Sequence, residues 1–240
     1  MQKMEYKLLT VQKEDRFALV TLNRPEKSNA VSITLANEMA DCLNELENDD
    51  EVSVVIITGN GRCFSGGFDT KEAANREPEH VARFKLAGIR WRVSVLHFTK
   101  PVIAAVNGPA VGLGCTLAFA ADVRIASETA SFGFPEIKLG VPVVPTLWKE
   151  MVGAGLSAGL TLSGKLVDAQ EAYRIGIVNK LVPSERLIEE AKEFARMIAE
   201  APRETLQTVK RWIIAESEAR HAHERMLGTD LFGGIKFDAR

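Results

Sequence analysis

Two apolar runs constrain this chain more than any other feature. "VSVVIITGNG" (residues 52–61) and "KPVIAAVNG" (residues 100–108) are each of strand length, hydrophobic without alternation, and closed by a glycine. A strand that is apolar on both faces belongs in a sheet covered on both sides, the usual setting of parallel strands linked by helices. The rest of the chain supplies those elements. "RFALVTLNRP" reads as a strand ended by Pro25. "VSITLANEMADCLNELEND" reads as a helix with Ser32 as N-cap and Ala36, Met39, Leu43 and Leu46 on one buried stripe. A polar helical stretch follows over about residues 71–98, and "ADVRIAS" is a further strand. After Pro145 the pattern turns mostly helical. Strands alternating with helices predict an α/β fold with a largely parallel sheet and a helical C-terminal part, in one structural unit.

The bulk properties narrow the partners. A net charge of -2 carries no basic field for nucleic acid. The three cysteines, Cys42, Cys63 and Cys115, are odd in number, lack metal-ligand spacing and read as reduced thiols. The first residues lack a signal-peptide core, no run approaches the roughly 18 apolar residues of a membrane span, and the final "DAR" matches no peroxisomal or prenylation signal. The expected location is cytoplasmic, with no metal and no permanently bound cofactor.

Three short elements carry chemistry. Ser65-Gly66-Gly67-Phe68-Asp69 and the stretch 108–114 are glycine turns, each following a buried strand. Glycine lets the backbone turn tightly and approach a ligand, and amides freed at such turns can point at an anionic oxygen. Two amides converging on one point would form an oxyanion hole. The same turns also read as plain tight connections. A dinucleotide site is excluded on spacing, because Leu117 stands where the third glycine of that fingerprint would be. The third element is "SFGFPEIKLGV", where Glu136 follows Pro135 amid Phe132, Phe134, Ile137 and Leu139. A carboxylate in apolar company has its pKa raised, which suits a base that takes up and returns a proton. The competing reading is a helix-start glutamate with its head in water. His80, His97 and Cys115 have no partners in the sequence that would make them catalytic, and His221 and His223, two apart, fall on different helix faces. Trp91 reads equally as pocket wall or helix packing.

In this order and spacing, "LNRPEKSNAVS", "CFSGGFDTKE", "KPVIAAVNGPAVGLGCTLAFAADVRIASETASFGFPEIKLGV" and "LTLSGKLVDAQEAYRIGIVNKLVP" resemble the enoyl-CoA hydratase/isomerase (crotonase) superfamily over about residues 17–185. The resemblance implies a crotonase-like spiral of ββα turns over residues 1–185. It also implies a helical C-terminal trimerisation region over residues 186–240, and a homotrimer or a hexamer built from two trimers. A CoA thioester would be the substrate. The backbone N–H groups of Phe68 and Leu113 would form the oxyanion hole. Lys27, Ser28, Ala30, Ser65, Gly66, Gly67, Asp69, Lys71, Gly112 and Thr116 would lie along the CoA ester. Where the family usually has glycine at position 113, leucine excludes strained backbone angles.

Hydratases of this family hold a water between two glutamates. One matches Glu136; the other matches Thr116, which cannot act as a base at neutral pH. Shifting a double bond from C3 to C2 needs one base only, so the resemblance points to an isomerase. The segment "LGVPVVPTLWKEMV" points the same way, since hydratases carry a glycine-rich stretch there. Thr116 itself reads first as helix packing, with its hydroxyl on the preceding turn. The alternatives are hydration, decarboxylation or thioester hydrolysis on the same enolate logic, and, in another class, a non-catalytic relative that binds CoA esters or RNA. Relatives usually continue into one more helix beyond the point matching Arg240, so either the sequence is cut to its ordered part or the site is more open than usual.

Overall fold

The computed structural model describes residues 5–143 and 146–226. Pro145, the side chains of His221 and His223, and Asp238, Ala239 and Arg240 lie outside the described residues. The chain opens with an antiparallel hairpin, β1 (Leu9–Glu14) and β2 (Phe17–Leu22), and continues through α1 (Ile33–Glu47), β3 (Val54–Gly59), α2 (Thr70–Ala74) and α3 (Pro78–Leu96). Next come β4 (Val102–Val106), β5 (Pro109–Val111), α4 (Leu113–Ala120), β6 (Val123–Ser127) and β7 (Ser131–Gly133). After a 3-10 turn at Pro135–Leu139 follow α5 (Thr146–Val152), α6 (Ala154–Ser163), β8 (Val167–Asp168), α7 (Ala169–Arg174), β9 (Lys180–Val182), α8 (Leu187–Ala199) and α9 (Arg203–Met226).

The large sheet has the order β1-β2-β3-β4-β6-β9, parallel from β2 onward. It is covered on both faces, as the two apolar runs require. Val55 and Ile57 point into the cluster that holds α1, α3 and α4, while Val54 and Ile56 point to Leu187, Ala191, Ala195 and Ala199 of α8. Those α8 residues recur every fourth position and put one apolar stripe, a leucine and three alanines, against the sheet. Ser32 caps α1 as expected, accepting from Leu35 N–H at 3.1 Å.

A second, small sheet β5-β7-β8 explains the spiral. β4 leads to β5 and then α4; β6 leads to β7 and the turn after it. The two earlier turns make the same step with single bridges: Val31 pairs with Phe68, and Ser65 with Ala110. Each turn of chain thus runs through the large sheet, then the small one, then a helix. Corresponding corners stack on one another.

One expectation needs correction, and one element was not foreseen. The stretch over residues 71–98 is two helices, broken at residues 75–77, because Pro78 drives Glu77 out of the helical region (ψ 124°). The N-terminal segment holds a strand, β1, that its polar sequence conceals. Among the described residues no helix is long and apolar enough to cross a membrane.

Candidate active site

The first glycine turn is pinned residue by residue. Asn29 is fully buried, and its side chain accepts from Arg24 N–H (2.9 Å) and donates to the carbonyls of Asn60 (2.9 Å) and Cys63 (2.8 Å). Ser28 and Asn29 both take left-handed backbone angles (φ 51° and 52°) to bring this about. Against that frame, Ser65 N–H reaches Pro109 O, Gly66 N–H reaches Ser28 O, and Asp69 N–H reaches Val31 O. Gly67 N–H leans on the Ser65 hydroxyl at 3.4 Å, while that hydroxyl donates to Asn29 O. Of the five N–H groups at residues 65–69, Phe68 alone has no acceptor among the described residues.

The second turn meets the first directly. A Cβ added to Gly67 (φ +86°) would lie 2.8 Å from Val111 O and 3.5 Å from Leu113 N. Gly112 takes φ 53°, ψ −119°, a region open to glycine, and donates to Gly133 O at 2.9 Å. The unusual angles therefore fall on Gly112, and Leu113 is an ordinary first helical residue of α4. As such its N–H has no intrahelical partner, and no other described group accepts it. The first bond of the helix is Thr116 N–H to Gly112 O (2.9 Å).

Glu136 lies at the matching corner of the next spiral turn. Its carboxylate oxygens stand 3.2 and 3.4 Å from where a Gly112 Cβ would be. Phe119, Phe132, Phe134 and Trp148, the middle two within four residues of Glu136 in the chain, form a buried aromatic cluster with ring centroids 5.0–6.2 Å apart. Burial pushes the Glu136 pKa up, opposed only by a hydrogen bond from its own backbone N–H. No neighbouring charge among the described residues contributes. The site therefore offers two unpaired N–H groups and one desolvated carboxyl around the contact of the two turns, a set suited to moving a proton next to an anionic oxygen.

The remaining sequence candidates fall in distinct places. The Thr116 hydroxyl donates back to Gly112 O at 3.3 Å. Ser28 and Ala30 flank the buried Asn29, and Lys27 and Lys71 are exposed. Asp69 faces inward: its carboxylate pairs with Arg24 (2.7 Å) and caps α2 through the N–H groups of Lys71 and Glu72. Burial pulls its pKa upward, but Arg24 and the two N–H groups together hold it below its ordinary value. Trp91 is fully buried in the main core, and its indole N–H has no partner among the described residues. Cys115 is fully buried beside the turn, and burial pushes its thiol pKa well up, away from reactivity. Asn29 and Gly133 shape the site without being among its sequence candidates, although Asn29 lies between the candidates Ser28 and Ala30.

The family model for enoyl-CoA hydratase/isomerase matches residues 12–237. A probable enoyl-CoA hydratase of Mycobacterium tuberculosis is 36% identical over 240 residues, covering 93% of this chain and 89% of that protein. The crystal structure of an enoyl-CoA hydratase/isomerase from Xanthobacter autotrophicus Py2 superposes with a TM-score of 0.86 at 33% identity, covering 96% of this chain and 88% of that one. A monofunctional enoyl CoA isomerase from M. smegmatis superposes with a TM-score of 0.75 at 32% identity, covering 88% and 94%. With its spiral fold and these matches along nearly its whole length, the chain belongs to the enoyl-CoA hydratase/isomerase family of the crotonase superfamily.

Proposed function

We propose that this protein is an isomerase that converts 3-enoyl-CoA esters to 2-enoyl-CoA esters with a single carboxylate. Glu136 removes a proton from C2. The electron pair moves through the thioester to its oxygen, giving a dienolate held by the N–H groups of Phe68 and Leu113. The Glu136 carboxylic acid then returns the proton to C4, and the double bond forms between C2 and C3. The CoA moiety runs past Ser28, Ala30 and the first glycine turn, with Lys27 and Lys71 near its phosphates. The active form is a homotrimer or a pair of trimers, a reading supported by the exposed Val209, Trp212 and Ile213 of α9.

The observation that carries this reading is that, among the described residues, no second carboxylate acts on Glu136. Position 116, where hydration needs a second acid, holds a threonine whose hydroxyl is bonded to Gly112 O. A second carboxylate close to Glu136 would raise its pKa by like-charge repulsion, and only burial raises it here. Hydration is the second reading, and the names of curated relatives favour it: several are called hydratases.

The shuttle has a direct test. A 3-enoyl-CoA carrying deuterium at both C2 positions is converted in ordinary water, and the product is read by NMR. Deuterium at C4 above the solvent level is the expected result, because a desolvated carboxyl delivers its proton before exchanging it. A C4 position free of deuterium from the first turnover would contradict a one-carboxyl shuttle.

A further inference from the structure

Helix α3 carries a glycine in its interior with no backbone reason to be there. Gly88 is buried and its φ is not in the left-handed region. Glycine weakens a helix interior relative to alanine, so its use must be the space that it leaves. That space holds the ring of Phe68. A Cβ at position 88 would stand 3.3 Å from Phe68 Cζ and 3.4 Å from Cε1. One turn earlier, Phe84 packs on the same ring with centroids 4.9 Å apart and planes at 44°. One turn before that, His80 stacks on Phe84 (6.2 Å, 14°), and its Nε2 bonds Glu72 O in α2 at 3.0 Å. One face of α3 thus seats a side chain whose own backbone carries a proposed oxyanion amide.

The geometry of that peptide gives the seat its consequence. The Gly67–Phe68 peptide is held at its carbonyl end, where Gly67 O accepts from Val31 N–H at 2.7 Å. Its N–H end has no partner among the described residues. With Asp69 N–H also held by Val31 O, the freedom left at Phe68 is a small tilt of its N–H, in which a shift of the Phe68 ring would be felt. We propose that Gly88 is a positioning residue, whose missing side chain seats the Phe68 ring and thereby aims the Phe68 N–H at the substrate thioester oxygen. The inference rests on the oxyanion reading above. It makes α3 the element through which a change far from Glu136 alters turnover.

The test compares wild type, Gly88→Ala, Phe68→Ala and the double variant. Each is saturated with an acyl-CoA labelled with carbon-13 at the thioester carbonyl, and the carbonyl stretch is read by infrared difference spectroscopy. Kinetics and melting temperature are measured alongside. In wild type the stretch falls below its value in solution. In Gly88→Ala part of that shift is lost, kcat falls about tenfold through misplacement of the donor, KM stays within about twofold, and the melting temperature does not fall. Once the ring is removed by Phe68→Ala, adding Gly88→Ala changes neither the stretch nor kcat. A full shift and full kcat in Gly88→Ala, with the wild-type shift present, overturns the role of Gly88 alone. An equal effect of Gly88→Ala in both backgrounds overturns it too, since the ring would not be the route. A wild-type stretch equal to that in solution overturns the oxyanion reading, and this inference with it.

Discussion

Replacement of Glu136 by Gln is expected to lower kcat by about 100- to 10,000-fold while acyl-CoA binding is retained. Gln keeps the shape of the side chain beside Gly112 and loses the atom that accepts a proton. Isothermal titration with a saturated acyl-CoA, set beside turnover of a 3-enoyl ester, separates the two effects. Loss of binding together with turnover would make Glu136 a structural residue. The same variant tests the electrostatics. Burial raises the pKa of Glu136, so its proton is bound more tightly in the folded chain than in the unfolded one. The stability that this proton linkage contributes is fully present below the unfolded pKa and is lost as pH rises through the folded pKa. At neutral pH the buried charge weighs against folding, so the Gln variant should melt higher than wild type, with the difference closing on acidification. The acid limb of kcat/KM in wild type should likewise lie above the ordinary carboxylate range, because the base must be ionised in the free enzyme.

The second large effect is expected at Gly112. Alanine there would have to adopt φ 53°, ψ −119°, and its Cβ would meet Glu136 Oε1 at 3.2 Å. The strain alone is about 1–3 kcal/mol. If the backbone relaxes instead, it turns the Leu113 N–H away and breaks the bond from Gly112 N–H to Gly133 O. Loss of one oxyanion donor lowers kcat by about 100- to 1,000-fold. Gly112→Ala should therefore lose both melting temperature and turnover. A variant of wild-type stability and wild-type kcat would mean that neither the Gly112 conformation nor the Leu113 amide matters to the reaction.

The parts of this molecule that were legible in its sequence are those where one residue type answers one physical demand. Residues 52–61 and 100–108 had to be strands covered on both faces, and the observed alternation of Val54 and Ile56 against Val55 and Ile57 bears this out. Ser32 announced the start of α1 for the same reason. The strand β1 was hidden because it lies at the sheet edge, where "LTVQKE" keeps most of its side chains in partial or full contact with water. β5, β7 and β8 are two or three residues long, too short to show a period. They are nonetheless what stacks the spiral and brings Phe68, Leu113 and Glu136 together, so the convergence of these three corners followed from tertiary pairing, not from any local signal. The left-handed angles were legible as a need for glycine, but not their address: they sit on Gly112, which leaves Leu113 free to open the helix. The inward turn of Asp69 toward Arg24 was likewise invisible, because the two residues lie 45 positions apart.

Whether one carboxylate does all of the proton transfer is read from two substrates given side by side. Purified protein receives a 3-enoyl-CoA in one cuvette and a 2-enoyl-CoA in another, and the conjugated enoyl thioester is followed by its absorbance. Conjugation is expected to appear from the 3-enoyl ester, and the 2-enoyl ester is expected to stay unhydrated. Loss of conjugation from the 2-enoyl ester, with a 3-hydroxyacyl-CoA as product, would contradict it, since a second acid would then be at work beside Glu136.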